Sequence, residues 1–288
     1  MSVHAPTVGE RRGRRTLLRG GLAAACLAYV AALLLLPLIG IVVTALDPGF
    51  GIVPDTFSLP EVRHAFVLTF VITVIAVLVT TSFGLCVAWV LVRQRFRGRA
   101  LMNALVDLPF ALSPVTVGLA CVLLFGTGGW FADFFAARGI QIIFALPSMV
   151  LVTIFICIPF TIRELVPVLE EIGLEEEDAA RTLGASIWHT FRKVTFPNIR
   201  WALGYGIALT VARAIGEIGA VLIVSGLIQG KTETATISIF NALEERQDAQ
   251  AYVVALALAA ISVVLLVVIE GFRRRAERDR ENAGGSEV

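Results

Sequence analysis

A chain of 288 residues in which 57% are hydrophobic and 16% charged, with a mean hydropathy of +0.83, departs from the balance of a soluble domain and reads as a membrane protein. Apolar runs along the whole 31.0 kDa leave no stretch for a separate soluble catalytic or nucleotide-binding domain. The net charge of +1 says little, because in a membrane protein the information lies in how charge divides between the two faces.

Six segments are long and apolar enough to cross a bilayer as helices, which takes about 20 residues each. In chain order they are 21–46, 65–92, 106–126, 140–160, 201–228 and 251–270, between an N-terminal tail over 1–20 and a C-terminal tail over 271–288. The first is preceded by "RRGRRTLLRGGLAAACLA", which looks somewhat like a twin-arginine signal with a lipoprotein-like Cys26. The apolar core of such a signal runs about 7 to 15 residues, whereas this one continues to Leu46 without a convincing cleavage site, so it is read as a retained helix. Pro37, Pro114 and Pro147 fall in or near the segments; membrane helices tolerate proline, and the segments are not split there.

Orientation follows from the basic residues. Arg11, Arg12, Arg14, Arg15 and Arg19 precede the first segment, and Arg93, Arg95, Arg97 and Arg99 follow the second. Arg163, Arg181, Arg192, Lys193 and Arg200 lie in the loop 161–200, and Arg273, Arg274, Arg275, Arg278 and Arg280 follow the last segment. The opposite face holds only Arg63, Arg138, Lys231 and Arg246, so the positive-inside rule places both termini in the cytoplasm. Cys26, Cys86, Cys121 and Cys157 all fall in the apolar segments without C-x-x-C spacing and read as small apolar fillers, with no metal or disulfide implied.

The loop 161–200 is the longest on the cytoplasmic side and carries four consecutive acids, Glu175 to Asp178, which suit a helix N-terminus; Arg192 and Lys193 suit a later C-terminal turn. Leu183, Ile187 and Phe191 are spaced four apart, so a helix would put them on one face with Trp188 beside it. Gly184 interrupts that stripe and favours two short helices at an angle. On physics alone this knob serves equally as a connector lying on the membrane or as a docking element for a partner.

The residues "DAARTLGASIWHTFRKVTFP" resemble the cytoplasmic signature of ATP-binding-cassette (ABC) importer permeases: Glu-Ala-Ala, three residues, Gly, nine residues, Ile, one residue, Leu-Pro. The chain keeps every spacing as Asp178, Ala179, Ala180, Gly184, Val194, Phe196 and Pro197, with Asp, Val and Phe as conservative departures. The resemblance implies a type I ABC importer permease fold in which this segment is the coupling helix seated in a cleft of an ATPase subunit. Ala179 and Ala180 would allow close approach, Gly184 would supply the turn, and the apolar stripe would anchor the knob to the permease.

Further stretches, "DLPFALSPVTVGL", "IIFALPSMVL", "PFTIRELVPVLEEIG" and "FPNIRWALGYGIALTVARAIGEIGAVLIVSG", are similar to the permease subunits of sulfate and thiosulfate importers, and "GEIGAVLIVSGLIQGKTET" is closer to the W-type subunit. The resemblance implies a second permease subunit, two ATPase subunits that bind ATP and Mg in place of this chain, and a periplasmic or lipid-anchored sulfate-binding protein. It also implies a bacterial inner membrane. Molybdate and tungstate permeases share much of the pattern and form the alternative reading of the substrate.

Arg213 and Glu217 lie four apart in the fifth segment, within reach of each other on one helical face. Each costs about 2.5 to 3.5 kcal/mol at a helix centre, so both belong in the bundle interior or a water-filled cavity. Two readings stand: an ion pair that locks the bundle or the permease dimer, and an anion path whose positive charge on Arg213 is partly offset by Glu217. Thr210 and Ser225 lie on the same segment as hydroxyl donors. "SGLIQGKT" (225–232) is one residue from the phosphate-binding pattern G-x-x-x-x-G-K-[ST], but no strand precedes it and it falls on the outer face, where its loop, Gln229 to Gln250, faces the binding protein in the family reading.

Two other classes fit less well. A hydrolase would need a metal or serine constellation, yet His4, His64 and His189 lie outside the apolar segments and no H-E-x-x-H occurs, so no enzyme chemistry is expected of the chain itself. A secondary anion transporter fits the hydropathy but leaves the cytoplasmic signature unexplained.

Overall fold

The computed structural model describes the backbone of residues 8–284 and the side chains of residues 21–275. The tail arginines Arg11 to Arg19, Arg278 and Arg280, and His4, therefore lie outside the described side chains. Among the described residues every regular element is helical. The elements are α1 (Val8–Leu46), α2 (Ile52–Ser58), α3 (Pro60–Arg93), α4 (Arg99–Ala111), α5 (Pro114–Phe125), α6 (Ala132–Ala136), α7 (Leu146–Ile172), α8 (Glu175–Thr182), α9 (Ile187–Thr190), α10 (Phe196–Ile215), α11 (Gly219–Ser225), α12 (Ala235–Glu244) and α13 (Asp248–Gly284), with one π-helical turn, Phe191–Thr195, before α10.

Four helices are long and apolar enough to span a membrane unbroken: Gly21–Leu46 of α1, Pro60–Arg93, Leu146–Ile172 and Asp248–Arg275 of α13. Two further helix pairs reach that length only when taken together, and both are bent: α4 with α5 at 108° and the run Ile187–Ile215 with α11 at 53°. The third expected segment, 106–126, was not to be split at proline, and here the structure differs. Pro114 has no N–H and crowds the residue before it, so Ser113 is extended at φ −64°, ψ 138° and the helix ends at Ala111. The fifth segment, 201–228, breaks at Gly216 to Ile218. The fourth also moves: residues 140–145 are not helical, Pro147 sits in the first turn of α7, and α7 runs on to Ile172. Arg163 is thus inside a helix and not in a loop.

Helices α3, α7 and α10 form the central bundle, with two apolar cores along its length. One gathers Leu68, Ile72, Met149, Val152, Val221 and Ile237; the other gathers Leu91, Ile162, Leu165, Leu169, Ile199 and Leu203. Polar side chains inside the bundle are turned back on the backbone: Thr69, Thr80, Thr153 and Thr210 each donate to the carbonyl four residues earlier, at 2.7 to 2.8 Å. Helix α1 stands outside this bundle against α13, and its apolar surface is open to lipid along most of its length.

Close approach of α5 and α11 depends on Gly118. A Cβ there would stand 2.9 Å from the Ala220 carbonyl oxygen and from Ile223 Cβ, and a backbone oxygen cannot step aside. Gly118→Val is expected to lower stability by about 1 to 3 kcal/mol, seen as a reduced melting temperature of the detergent-purified chain.

Candidate functional site

Two regions carry the residues singled out from the sequence. The first is the knob after α7. Gly173, at φ +69°, ends α7 and Gly184, at φ +83°, ends α8 through Gly184 N–H to Arg181 O (2.9 Å) and Ala185 N–H to Ala180 O (3.0 Å). Ser186 then caps α9 by accepting from His189 N–H, and the π turn feeds Pro197 into the first turn of α10. Two short helices meet at a turn, with Asp178 and Ala179 on the exposed side and Ala180 half-buried. The four acids occupy the first turn of α8, where the helix dipole favours them, but they divide the work. Asp178 pairs on the surface with Arg181 at 3.0 Å, Glu176 accepts from Asn198 at 2.8 Å, and Glu177 turns inward.

Glu177 is 1% exposed, and its Oε1 accepts from Arg93 Nη2 at 2.9 Å and from the Thr195 hydroxyl at 3.0 Å. Arg93, 6% exposed, also donates to the Leu169 carbonyl at 3.0 Å and lies 5.7 Å from the Trp89 ring centroid. One buried pair thereby ties together the end of α3, the end of α7, α8 and the π turn. Sequence reasoning missed it: Arg93 was read as one loop cation among several, and Glu177 as one of four dipole-compensating acids. The apolar stripe Leu183, Ile187, Phe191 is expected to anchor the knob to the permease, and the structure gives that role to Phe191 only. Leu183, Ile187 and Trp188 are 89%, 76% and 68% exposed, because the turn at Gly184 breaks the single face that spacing alone would give them. Phe191 alone of the stripe keeps the anchoring role, half-buried with its ring 6.1 Å from Trp89 of α3 and stacked with Trp188 at 5.9 Å. The rest of the anchor is ionic, and Leu183, Ile187 and the outer face of Trp188 form the tip.

The second region is the meeting of the two broken spans. A Cβ on Gly219, the first residue of α11, would stand 2.9 Å from Pro114 Cβ, so the break between α4 and α5 lies against the break between α10 and α11. Glu217 sits in the second break, 2% exposed. Its Oε1 accepts from Ala220 N–H at 2.9 Å, capping α11, its Oε2 pairs with Arg213 Nη2 at 2.5 Å, and its carbonyl accepts from the Thr236 hydroxyl at 3.0 Å. Arg213 is 30% exposed, so one edge of its guanidinium is held by Glu217 while the rest reaches the subunit surface. A cavity of about 10 Å³ beside Glu217, bounded by Thr69, Thr153 and Thr234, has room for one water. Thr210 and Ser225 do not join this pair: Thr210 is buried against Gly206 O and Thr161, and Ser225 accepts from Leu227 N–H in the turn after α11. That turn, which carries the near-match to a phosphate-binding loop, follows a helix and contains Gly226 and Leu227 at positive φ.

Two further features were not legible beforehand. Arg163 grips both oxygens of Asp107 across the α4–α7 contact, at 2.7 and 2.5 Å, with the Phe110 and Phe160 rings edge to face nearby. At the far end of the bundle, Glu61, Glu233, Glu245, Gln229 and Asn241 line a polar cup of about 210 Å³; burial pushes the Glu233 carboxyl up, opposed by a 2.9 Å hydrogen bond from Asn241.

The fold is a helical membrane bundle with two bent helix pairs and a latched knob at one end, and comparison with known proteins supplies its class. Residues 80–281 match the family of binding-protein-dependent transport system inner membrane components, and the chain belongs to that family of ABC importer permeases. It is 47% identical over 254 residues to the sulfate transport system permease protein CysW of Synechocystis sp., covering 88% of this chain and 92% of the relative. It is 42% identical over 253 residues to CysW of Escherichia coli (88% and 87% covered) and 38% identical over 252 residues to CysT of Salmonella typhimurium (88% and 91%). In fold it matches a chain of a bacterial alginate ABC transporter in complex with a pentasaccharide-bound periplasmic protein, with a TM-score of 0.74 at 16% identity over 94% of this chain and 97% of the other. As a permease subunit the chain is a transport component; the ATPase of such a system is a separate subunit.

The latch makes a prediction that separates Glu177 from its neighbours. Glu177→Gln leaves Arg93 buried beside a neutral group and is expected to cost about 3 to 5 kcal/mol. Glu175→Gln, on the exposed face of the same turn, is expected to cost under about 1 kcal/mol. Thermal unfolding of the two variants in detergent measures the difference.

Proposed function

We propose that the chain is one of two permease subunits of an ATP-driven sulfate or thiosulfate importer, and that it forms half of the anion path. The observation that carries the substrate is the 42–47% identity to sulfate permeases over 88% of the chain; the relatives include both CysW and CysT, which favours a different chain as the second permease. In this reading two ATPase subunits hold ATP and Mg, a periplasmic or lipid-anchored binding protein docks on the loop Gln229 to Gln250, and both termini face the cytoplasm of a bacterial cell. The six spans are then α1, α3, α4 with α5, α7, α10 with α11, and α13.

The coupling segment is Asp178, Ala179, Ala180, Gly184 and Pro197. The tip residues Leu183, Ile187 and Trp188 are largely exposed among the described residues and suit the apolar floor of an ATPase cleft. Because Glu177 locks the knob to α3 and α7, displacement of the tip is passed to those helices as a rigid movement instead of being lost in a loop. The α10–α11 break, next to Pro114, is where the path opens and closes, and the free edge of Arg213 meets the anion as it passes. Partial neutralisation by Glu217 keeps that meeting brief, since a fully exposed guanidinium would hold a dianion too long to release it.

Uptake of labelled sulfate by cells with and without this chain tests the reading. Loss of uptake on deletion, restored by the gene and competed best by thiosulfate, is the expected result; intact sulfate uptake with lost molybdate accumulation would reassign the substrate. Gly184→Val is expected to abolish uptake while ATP hydrolysis continues, since a β-branched residue is strained at φ +83°, whereas Gly184→Asn, which tolerates that conformation, keeps part of it. Arg213→Lys retains the ion pair and expression but loses the planar fork, and a fall in sulfate uptake of about tenfold is expected.

A further inference from the structure

The start of α3, the turn after α11 and both ends of α12 meet around the polar cup, to which they bring Glu61, Gln229, Glu233, Asn241 and Glu245. The cup is held in shape by α12, whose Ala235 N–H donates to Thr69 Oγ1 of α3 at 2.9 Å and whose Thr236 hydroxyl donates to the Glu217 carbonyl at 3.0 Å. Most amide donors of the cup are already used: Asn241 Nδ2 on Glu233 at 2.9 Å, and the Gln229 and Gln247 amides on Glu245 at 3.4 and 3.2 Å. What still faces the space is chiefly acceptor oxygen. Ser238 is 4% exposed, lines the cup and makes no side-chain hydrogen bond among the described residues. Glu233, 2% exposed, has one carboxylate oxygen on Asn241 and the other open on the cup. Among the described residues no lysine or arginine forms an ion pair with Glu61, Glu233 or Glu245. Burial pushes the Glu233 carboxyl up, Glu245 and Glu61 add to that push, and Asn241 and His64 oppose it.

Carboxylates without counter-ions turn away an anion, and among the described residues no three acidic or imidazole groups converge closely enough to hold a metal ion. The guest that fits is a cation of side-chain size with several donors. A guanidinium offers five N–H groups in one plane and serves acceptors spread around a cavity, whereas an ammonium is a point charge. At about 210 Å³ the space lies below the roughly 300 to 1,000 Å³ of sites for drug-sized ligands and suits one inserted side chain. We propose that the cup receives an arginine side chain of the periplasmic binding protein, its guanidinium taken by Glu61, Glu233 and Glu245 with Ser238 Oγ as a further acceptor. The inference rests on the reading of Gln229 to Gln250 as the docking loop, and it adds the charge that the partner must present there. Glu233, buried, gives the contact its strength, while Glu61 and Glu245 at the exposed rim steer the approach.

The test uses the assembled transporter in lipid nanodiscs and its sulfate-loaded binding protein, with association and dissociation followed by biolayer interferometry. Glu233→Gln, which keeps an oxygen for Asn241, is expected to weaken binding about tenfold, mainly through faster dissociation. Glu61→Gln, at the exposed rim, is expected to weaken it about threefold, mainly through slower association and with a smaller salt dependence. Asp133→Asn, which removes an equal charge from the exposed loop between α5 and α7, is expected to bind as the parent does. Among alanine replacements of the exposed arginines of the binding protein, one is expected to weaken binding to the parent but not further to Glu233→Gln. Parental affinity in both cup variants, an equal loss in Asp133→Asn, or the absence of an arginine coupled to Glu233 would overturn the cup assignment and leave the docking loop standing. Failure of the parent transporter to bind the binding protein at all would overturn both, by removing the reading on which the cup rests.

Discussion

The pair between Arg93 and Glu177 is the constraint on which the placement of the knob depends. A carboxylate at 1% exposure costs several kcal/mol to desolvate, and here a guanidinium and a hydroxyl both bond Oε1, while Oε2 has no hydrogen bond and only the charge of Arg181 at 3.7 Å. Such a pair gains little net stability over an apolar substitute, but it has a single geometry. Only one placement of α8 satisfies Arg93, Thr195 and the Leu169 carbonyl together. The short knob helices, too brief to be stable alone, acquire a fixed position by this route rather than by burying their apolar side chains.

The other organising feature is that each helix break meets part of its own backbone demand. A broken helix in a membrane leaves backbone groups without partners, and each would cost several kcal/mol against lipid. At the α10–α11 break one carboxylate caps the new helix and neutralises Arg213, while Thr236 from α12 satisfies the carbonyl of the same residue. At the α4–α5 break Pro114 removes the donor that would otherwise be orphaned. Pro114 and Gly219 then let the two interrupted spans touch, so the least regular backbone in the bundle is concentrated at one place and held against itself.

Much of the architecture could be read from the chain because it rests on local composition. Long apolar runs, the i, i+4 relation of Arg213 and Glu217, and the turn at Gly184 are visible without a partner elsewhere in the sequence. What could not be read depends on residues brought together across the fold. Arg93 and Glu177 are 84 positions apart and Asp107 and Arg163 are 56, and nothing in the runs around them marks a pairing. The stripe Leu183, Ile187, Phe191 holds only at Phe191, which packs on Trp89, because periodicity assumes one continuous helix; the same glycine that signals a turn also takes Leu183 and Ile187 off the shared face. The fourth segment ended too early because charge was taken as the end of a helix, when Arg163 is accommodated inside α7 by Asp107.

The outward tip of Leu183, Ile187 and Trp188 bears on how the cell would manage the protein. A copy made without its motor subunits would carry three large greasy side chains on a rigid projection, the kind of feature that chaperones and membrane proteases grip. The buried latch holds the projection in place, and among the described residues nothing covers its tip. The lifetime of such a copy would then be set by how soon a partner arrives, and the stoichiometry of the assembled transporter would be kept by disposal of the excess rather than by matched synthesis.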